Sequence, residues 1–357
     1  MSKLIVQLVT WNGAKYIPFL FDSLARQTYL DWELVILDNG STDETVQAIE
    51  EEIRDWRLEI GVKFEKGEGN LGFAGGHNKL FKDHESEYVL LLNQDMYLEP
   101  NCIERMAQYL DTHEEVGVVS PRLMRWDFGA MVSPTTSAID STKIHETFTD
   151  HVDALGLKVF RNRRVIEQYT GQRWEILSKI FESSELSVFG VSGAFPMLRR
   201  SALTYVAYDD GTFLDNDYNS YKEDVDLAFR LVSAGYNARI LLDSVAYHDR
   251  SGAGPEVLAD IAAAKNKSDQ SDWVKYHSYK NHLMTLYKNE YWQNWMLDAI
   301  FIKWYELKKF GWFLLFDRSV LKGLGEVWKQ RKALKQKRAD ICTKRRISWK
   351  QMRTWWT

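Results

Sequence analysis

The stretch LIVQLVTWNGAKYIPFLFDSLARQTYLDWELVILDNGSTD, residues 4–43, decides the fold. LIVQLVTW (4–11) is an apolar run with β-branched residues, the pattern of a buried strand. Residues 14–28 place Ile17, Leu20, Phe21 and Leu24 on one side of a helix. WELVILD (32–38) returns to strand patterning and stops in an Asp-Asn-Gly-Ser turn. Strand, helix and strand in this order read as a right-handed βαβ unit on a parallel sheet.

The alternation continues outward. DETVQAIEEEIRDW (43–56) opens on an acid and reads as a helix, and VKFEK (62–66) as a short strand. A glycine-rich loop leads into a helix over GGHNKLFKDH. A strand at 87–96, a helix at 101–113 and a strand at 116–123 follow. Residues 126–186 show no period that assigns them. Strand-like, glycine-rich patterning resumes over 186–203, and an amphipathic helix over 223–237 is stopped by Gly235. ARILLDSVAYHDR (238–250) is a strand ending at a histidine, and from 270 onward the pattern is helical and aromatic. The expected class is α/β: a central, mostly parallel sheet flanked by helices, with a helical C-terminal extension. Ligands on such sheets sit beyond the carboxyl ends of the strands, where Asn12, Asp38 and Asp95 fall.

A chain of 357 residues, 45% hydrophobic and 27% charged, buries a core and is not disordered by composition. Its two cysteines, Cys102 and Cys342, exclude a disulfide scaffold and a cysteine-built zinc site and fit a reducing, cytosolic compartment. The N-terminal apolar run is too short for a signal peptide, and no stretch of 18 uncharged apolar residues offers a spanning helix. The net charge of −4 is unevenly spread: Arg318–Thr357 holds 13 Lys and Arg against two acids, and nine of the 14 tryptophans lie from Trp273 onward. An acidic body with a basic, Trp-rich tail points to an anionic partner for the tail, a membrane surface or nucleic acid.

Acids recur at strand ends and loops: Asp38, Asp95, and Glu223-Asp224 with Asp226, while His248 ends a later strand. Carboxylates, an imidazole and diphosphate oxygens suit Mg²⁺ or Mn²⁺. Each residue also has a plain structural reading. Asp38 heads an Asx-type turn, Asp95 is a loop acid, Asp224 sits where the helix dipole favours an acid, and His248 is a satisfied histidine. Gly67–Gly72 matches G-x-G-x-x-G, but the first βα turn, which should carry a dinucleotide fingerprint, reads TWNGAKY instead. G-x-x-x-x-G-K-[ST] and H-E-x-x-H do not occur.

Five stretches carry a resemblance: VTWNGAKYIPFLFDSLARQTY with WELVILDNGSTDET, GNLGFAGGHN, YVLLLNQDM, GVSGAFPMLRRSAL, and YKEDVDLAFRLVSAGYNARILLDSVAYHDRSG. In this order over roughly 1–255, the chain resembles the inverting family-2 glycosyltransferases of GT-A fold, especially their rhamnosyltransferase-like branch. The resemblance implies a glycosyltransferase domain over 1–265, with a nucleotide-sugar half to about 125 and an acceptor half from about 126. The helical extension, 266–357, follows. It implies Thr10, Asn12, Asp38, Asn39, Asn70, Gly72, Gly75, Asn93 and Gln94 on the donor side, with Asp38 accepting from a pyrimidine base. Asn93-Gln94-Asp95 stands where the family carries Asp-x-Asp, leaving Asp95 and His248 as metal ligands. Asp224 aligns with the general base; Gly193, Ala194, Glu223 and Asp226 would lie on the acceptor side.

Sugar transfer asks for such groups: a metal on the diphosphate of the leaving nucleotide and one carboxylate to deprotonate the acceptor hydroxyl. The donor implied by the branch is dTDP-L-rhamnose, with UDP-sugars open, and the acceptor a cell-surface polysaccharide or lipid-linked oligosaccharide. The aromatic residues Tyr287, Tyr291, Trp292, Trp295, Phe301, Trp304, Tyr305, Phe310, Trp312 and Phe313 read either as a helix seam or as an interfacial surface. With the basic tail, they suit an anionic membrane at its cytoplasmic face rather than nucleic acid. Two rivals remain: a sugar-phosphate nucleotidylyltransferase, for which TWNGAKY offers only Lys15, and a non-catalytic binding module.

Overall fold

A computed structural model of the chain describes residues 2–56, 60–132, 139–249 and 271–357. Its strands are β1 (Leu4–Thr10), β2 (Trp32–Asp38), β3 (Val62–Lys66), β4 (Tyr88–Leu92), β5 (Met96–Leu98), β6 (Val116–Trp126), β7 (Phe148–Ala154), β8 (Leu157–Val159), β9 (Val165–Glu167), β10 (Glu185–Val188), β11 (Met197–Arg199) and β12 (Asn237–His248). In the body the helices are α1 (Ile17–Ala25), α2 (Thr45–Asp55), α3 (Gly72–Asp83), α4 (Cys102–Thr112), α5 (Trp174–Leu177), α6 (Arg200–Val206) and α7 (Glu223–Ser233). Beyond the body come α8 (Asp272–Asn289), α9 (Trp292–Phe316), α10 (Lys322–Lys329), α11 (Arg331–Thr343) and α12 (Trp349–Arg353).

One ten-stranded sheet runs β10-β12-β6-β11-β4-β1-β2-β3, with β5 on β12 and β7 on β6. The half β4-β1-β2-β3 is parallel as the βαβ reading requires, and β6 pairs parallel with β12. Antiparallel β11 separates β4 from β6, and β5, β7 and β10 also pair antiparallel, so the sheet is mixed. Alternate residues of β1 serve opposite faces. Leu4, Val6 and Leu8 pack with Leu20 and Phe21 of α1, while Ile5 packs with Leu80 of α3. Pro18 sits in the first turn of α1, which therefore begins at Ile17 after a short 3₁₀ turn over Ala14–Tyr16.

The unassigned segment holds β7, β8, β9 and α5, all short. The expected boundary near 265 lies outside the described residues, as do Arg250, Ser251 and Gly252 of the last matching stretch. The C-terminal helices share hydrophobic clusters with the body: Met284 and Leu334 pack on Tyr218, and Tyr291 and Met352 join Phe189 and Phe229. The last residue is tied in as well, Thr357 N–H donating to Val159 C=O at 3.1 Å.

Candidate functional site

Three loops meet at the carboxyl edge of β1, β2 and β4. Thr10 and Asp38 face each other in register, and the Thr10 hydroxyl donates to Asp38 Oδ1 at 3.2 Å. The same carboxylate accepts the Ser41 hydroxyl (2.5 Å) and the amides of Gly40 (3.2 Å) and Ser41 (2.9 Å). Four donors fill the four lone-pair positions of an ionised carboxylate. Asp38, only 2% exposed, therefore heads a turn. Asn12, at φ +49, accepts the Thr42 amide (2.8 Å) and gives its own amide to Ser41 Oγ (2.9 Å). Gln94 clamps Trp11 by both backbone groups, each at 3.0 Å. Its side chain lies so close over Gly13 that any Cβ there would come within 2.2 Å of it. Trp11 is left 53% exposed at the rim, an aromatic face that the sequence reading passed over.

Asn39 and Asn70 shape the loop before α3. Asn39 Nδ2 donates to Asn70 Oδ1 (3.0 Å) and Gly72 C=O (3.1 Å), and its Oδ1 accepts the Leu71 amide (2.8 Å). Gly72 has φ +73, and a Cβ there would lie 2.6 Å from Asn219 C=O. A Cβ at Gly75 would lie 3.0 Å from Leu71 Cβ. Asn78 of α3 reaches across to the Phe213 and Leu214 amides.

Asp95, between β4 and β5, faces the end of β12. Asp95 Oδ1 stands 3.4 Å from His248 Nε2, and Nδ1 of the same ring is held at 2.9 Å by the buried Asp153 on β7. Burial by itself would lower the His248 pKa, but the Asp95 charge and the Asp153 hydrogen bond raise it to about 10; a cation on Nε2 would take the place of that proton. Among the described residues no group of three or more His, Cys, Asp or Glu side chains stands as a metal cage. The pair still fits Mg²⁺ or Mn²⁺: such ions take few protein ligands alongside phosphate oxygens, and a carboxylate on the far ring nitrogen is what orients a ligating imidazole. Asp153 was missed because it lies in the unassigned segment. Its signal was an acid in FTDHVDA between positions, Val152 and Ala154, that the strand also buries.

Asp224 opens α7. Its Oδ2 accepts the Gly193 amide at 3.3 Å and its Oδ1 the Val225 amide at 2.7 Å. Asn93 N–H, two residues before Asp95, donates to the C=O of Ala194, the neighbour of Gly193, at 3.0 Å. Glu223 is buried, its Oε2 has no hydrogen-bond partner among the described residues, and burial together with the Asp224 charge lifts its pKa to about 8. Asp226 is a correction. It turns away from the site, takes Tyr208 OH (2.9 Å), Arg230 Nε (3.0 Å) and Asn289 Nδ2 (2.8 Å), and pairs with Lys288 at 3.0 Å. Residues two apart on a helix point to different sides.

Part of the basic tail is taken up inside the fold. Arg338 and Arg345 donate to carbonyls at the end of α8, Lys337 binds Asp215 and Asp217, and Arg353 grips Asp298. The outward-facing cations include Lys329, Arg331, Lys332 and Lys335. In the aromatic stripe Tyr291 and Phe313 are core. Elsewhere α9 is inverted: it buries Asn294 and Asp298 and exposes Trp292, Met296, Ile300 and Trp304, with Ile300 82% exposed. No described helix is long and apolar enough to cross a membrane.

Residues 6–204 match the sequence model of Glycosyl transferase family 2. Over 116 residues the chain is 34% identical to the poly(ribitol-phosphate) beta-N-acetylglucosaminyltransferase TarS of Staphylococcus aureus, an alignment covering 32% of this chain and 20% of TarS. TarS 1-349 of S. aureus, solved with UDP-GlcNAc, superposes over 96% of this chain and 89% of its own, at 16% identity and a TM-score of 0.52. GalNAc-T7, solved with UDP, GalNAc and Mn²⁺, does so over 81% and 48%, at 12% identity and a TM-score of 0.56. At these identities the likeness is one of fold, the GT-A arrangement.

Proposed function

Because the chain belongs to glycosyl transferase family 2, we propose that it transfers a sugar, with inversion, from a pyrimidine nucleoside-diphosphate donor to a hydroxyl of a cell-surface polymer or lipid-linked glycan. The observation that carries this is the Asp95–His248 pair at 3.4 Å, on a strand-end loop whose Asn93 bonds Ala194, the neighbour of the Gly193 that donates to Asp224. The acceptor O–H proton passes to the Asp224 carboxylate while the acceptor oxygen bonds the anomeric carbon. The bond from that carbon to the diphosphate breaks on the opposite face, and its electron pair leaves with the nucleotide. Asp95 and His248 would hold Mg²⁺ or Mn²⁺, which supplies charge neutralisation for the departing diphosphate.

A donor panel tests the reading. UDP-GlcNAc, UDP-galactose and dTDP-L-rhamnose, each with Mn²⁺, are expected to include one that stabilises the fold by about 2.7 kcal/mol at a hundredfold excess over Kd, and so raises the melting temperature. A chelator should remove most of the shift. The binding of UDP-GlcNAc by TarS favours the UDP-sugar, and the branch resemblance favours dTDP-rhamnose. Pyrophosphate release from a nucleoside triphosphate plus a sugar phosphate would instead establish a nucleotidylyltransferase.

The same reading places the chain on the cytoplasmic face of an anionic membrane, docked through α9. Its exposed apolar side and Trp328, under the Arg331 guanidinium at 4.7 Å, present rings and cations together. Cations near such a leaflet contribute about 1 kcal/mol each. Sedimentation with anionic vesicles is expected, weakened at least tenfold by Ile300→Glu with Trp304→Glu and unaffected by competing duplex DNA. Equal sedimentation of both forms, or loss to DNA, would contradict it.

A further inference from the structure

The segment Asp215–Lys222 leads into α7 with its backbone bent against preference. Asn219, at φ +65 and ψ −64, centres a three-residue turn closed by Ser220 N–H on Tyr218 C=O at 2.8 Å. Tyr221 (φ +70) and Lys222 (φ +73) follow in the left-handed region. Asn219, Tyr221 and Lys222 make up half of the six non-glycine residues with positive φ among the described residues. Such conformations persist only where the surroundings over-determine them.

The surroundings press from two sides. On the donor side, Asn219 C=O accepts the Phe73 amide at 3.0 Å, against a Gly72 with no room for a Cβ. On the other, the wholly buried Asn281 of α8 turns Nδ2 on three carbonyls, those of Tyr218 (3.1 Å), Ser220 (2.9 Å) and Tyr221 (2.7 Å). Lys280 Nζ adds a bond to Asp217 C=O at 2.7 Å. At the far end, Lys222 C=O accepts the Asp226 amide at 2.9 Å and so begins the ladder of α7. One side-chain amide in the C-terminal helices thus braces a strained segment that touches the donor-side turn at one edge and the Asp224 helix at the other.

We propose that Asn281 is a positioning residue. By holding residues 218–222 in their strained form it fixes Asp224 relative to the Gly72–Phe73 turn, and so aligns base and donor from the C-terminal helices. This rests on Asp224 being the base. Among the described residues the Asn281 side chain hydrogen-bonds only backbone: its two amide hydrogens are shared among three carbonyls, one of them in a bifurcated bond.

The test uses the full chain as Asn281→Ala, Asn219→Gly and the double variant, read by kcat, donor KM and amide hydrogen exchange at Phe73. Asn281→Ala is expected to lower kcat at least tenfold and to speed Phe73 exchange at least tenfold, leaving exchange in β1 and β4 unchanged. Adding Asn219→Gly should restore most of the lost kcat, because glycine takes φ +65 without a Cβ to strain. A purely structural bond would lower the melting temperature alone, and glycine would recover nothing. Wild-type Phe73 protection in Asn281→Ala overturns the brace. Fast exchange with unchanged kcat, or a lost kcat that glycine does not recover, overturns its catalytic consequence. Full turnover by Asp224→Asn would refute the base assignment instead, leaving the brace to be judged on exchange.

Discussion

Asp224→Asn is expected to lower turnover by about 10²- to 10⁴-fold, the usual contribution of a positioned general base, while the donor-induced rise in melting temperature survives. The substitution keeps shape and leaves one oxygen, which serves the close Val225 amide (2.7 Å); the longer bond from the Gly193 amide (3.3 Å), made to the other carboxylate oxygen, is given up, so the helix start stays in place. What it removes is the ability to take a proton. Glu223 next door is no substitute: with its pKa lifted to about 8 it is mostly protonated at neutral pH, and it is buried behind the helix start. Near-normal turnover by the variant would end the assignment.

Lys288→Ala is expected to cost about 3–5 kcal/mol of stability, the penalty for leaving buried charges without their partner. Lys288 is wholly buried against Asp215, Asp226 and Tyr208. Despite burial, which acts the other way, Lys288 and Lys337 hold Asp215 below the usual carboxylate range, and Lys288 and Arg230 do the same for Asp226. Both acids are depressed, so their contribution is present above the ordinary carboxylate pKa and is lost as pH falls toward their folded values. Urea denaturation should therefore show the wild type weakening below about pH 4, and Lys288→Ala already weak at pH 7. A variant as stable as the wild type would mean that the network does not fasten α8 to α7.

What could be read from the sequence was local. The run at 4–11 and the turn after Leu37 fix two neighbouring strands without help from the rest of the chain, and so Thr10, Asn12, Asp38 and Asp95 could be placed at strand ends. His248 followed from the same pattern in β12. The failures share a cause, since side-chain direction is decided by partners far away in the chain. Asp153 lies on β7, which pairs with β6 across a register shift, and no local period announces it. The tail's 13 cations gave a charge total but not which of them cap the carbonyls of α8. For α9 the polar residues Asn294, Asp298 and Glu306 recur every four or eight positions and mark the inner face; attention to aromatics alone hid that inversion. Asp226 is different, because its spacing from Asp224 already told against a shared site.

The central claim is that Asp95, His248 and Asp224 serve one bound donor. Crystals of the full chain with Mn²⁺ and the donor nucleotide, measured by anomalous diffraction, test it most directly. The expected result is one manganese peak within bonding distance of an Asp95 oxygen and His248 Nε2, touching the diphosphate, with the Asp224 carboxylate across the sugar site. A peak held by other residues, or a nucleotide seated away from Asp224, would contradict it.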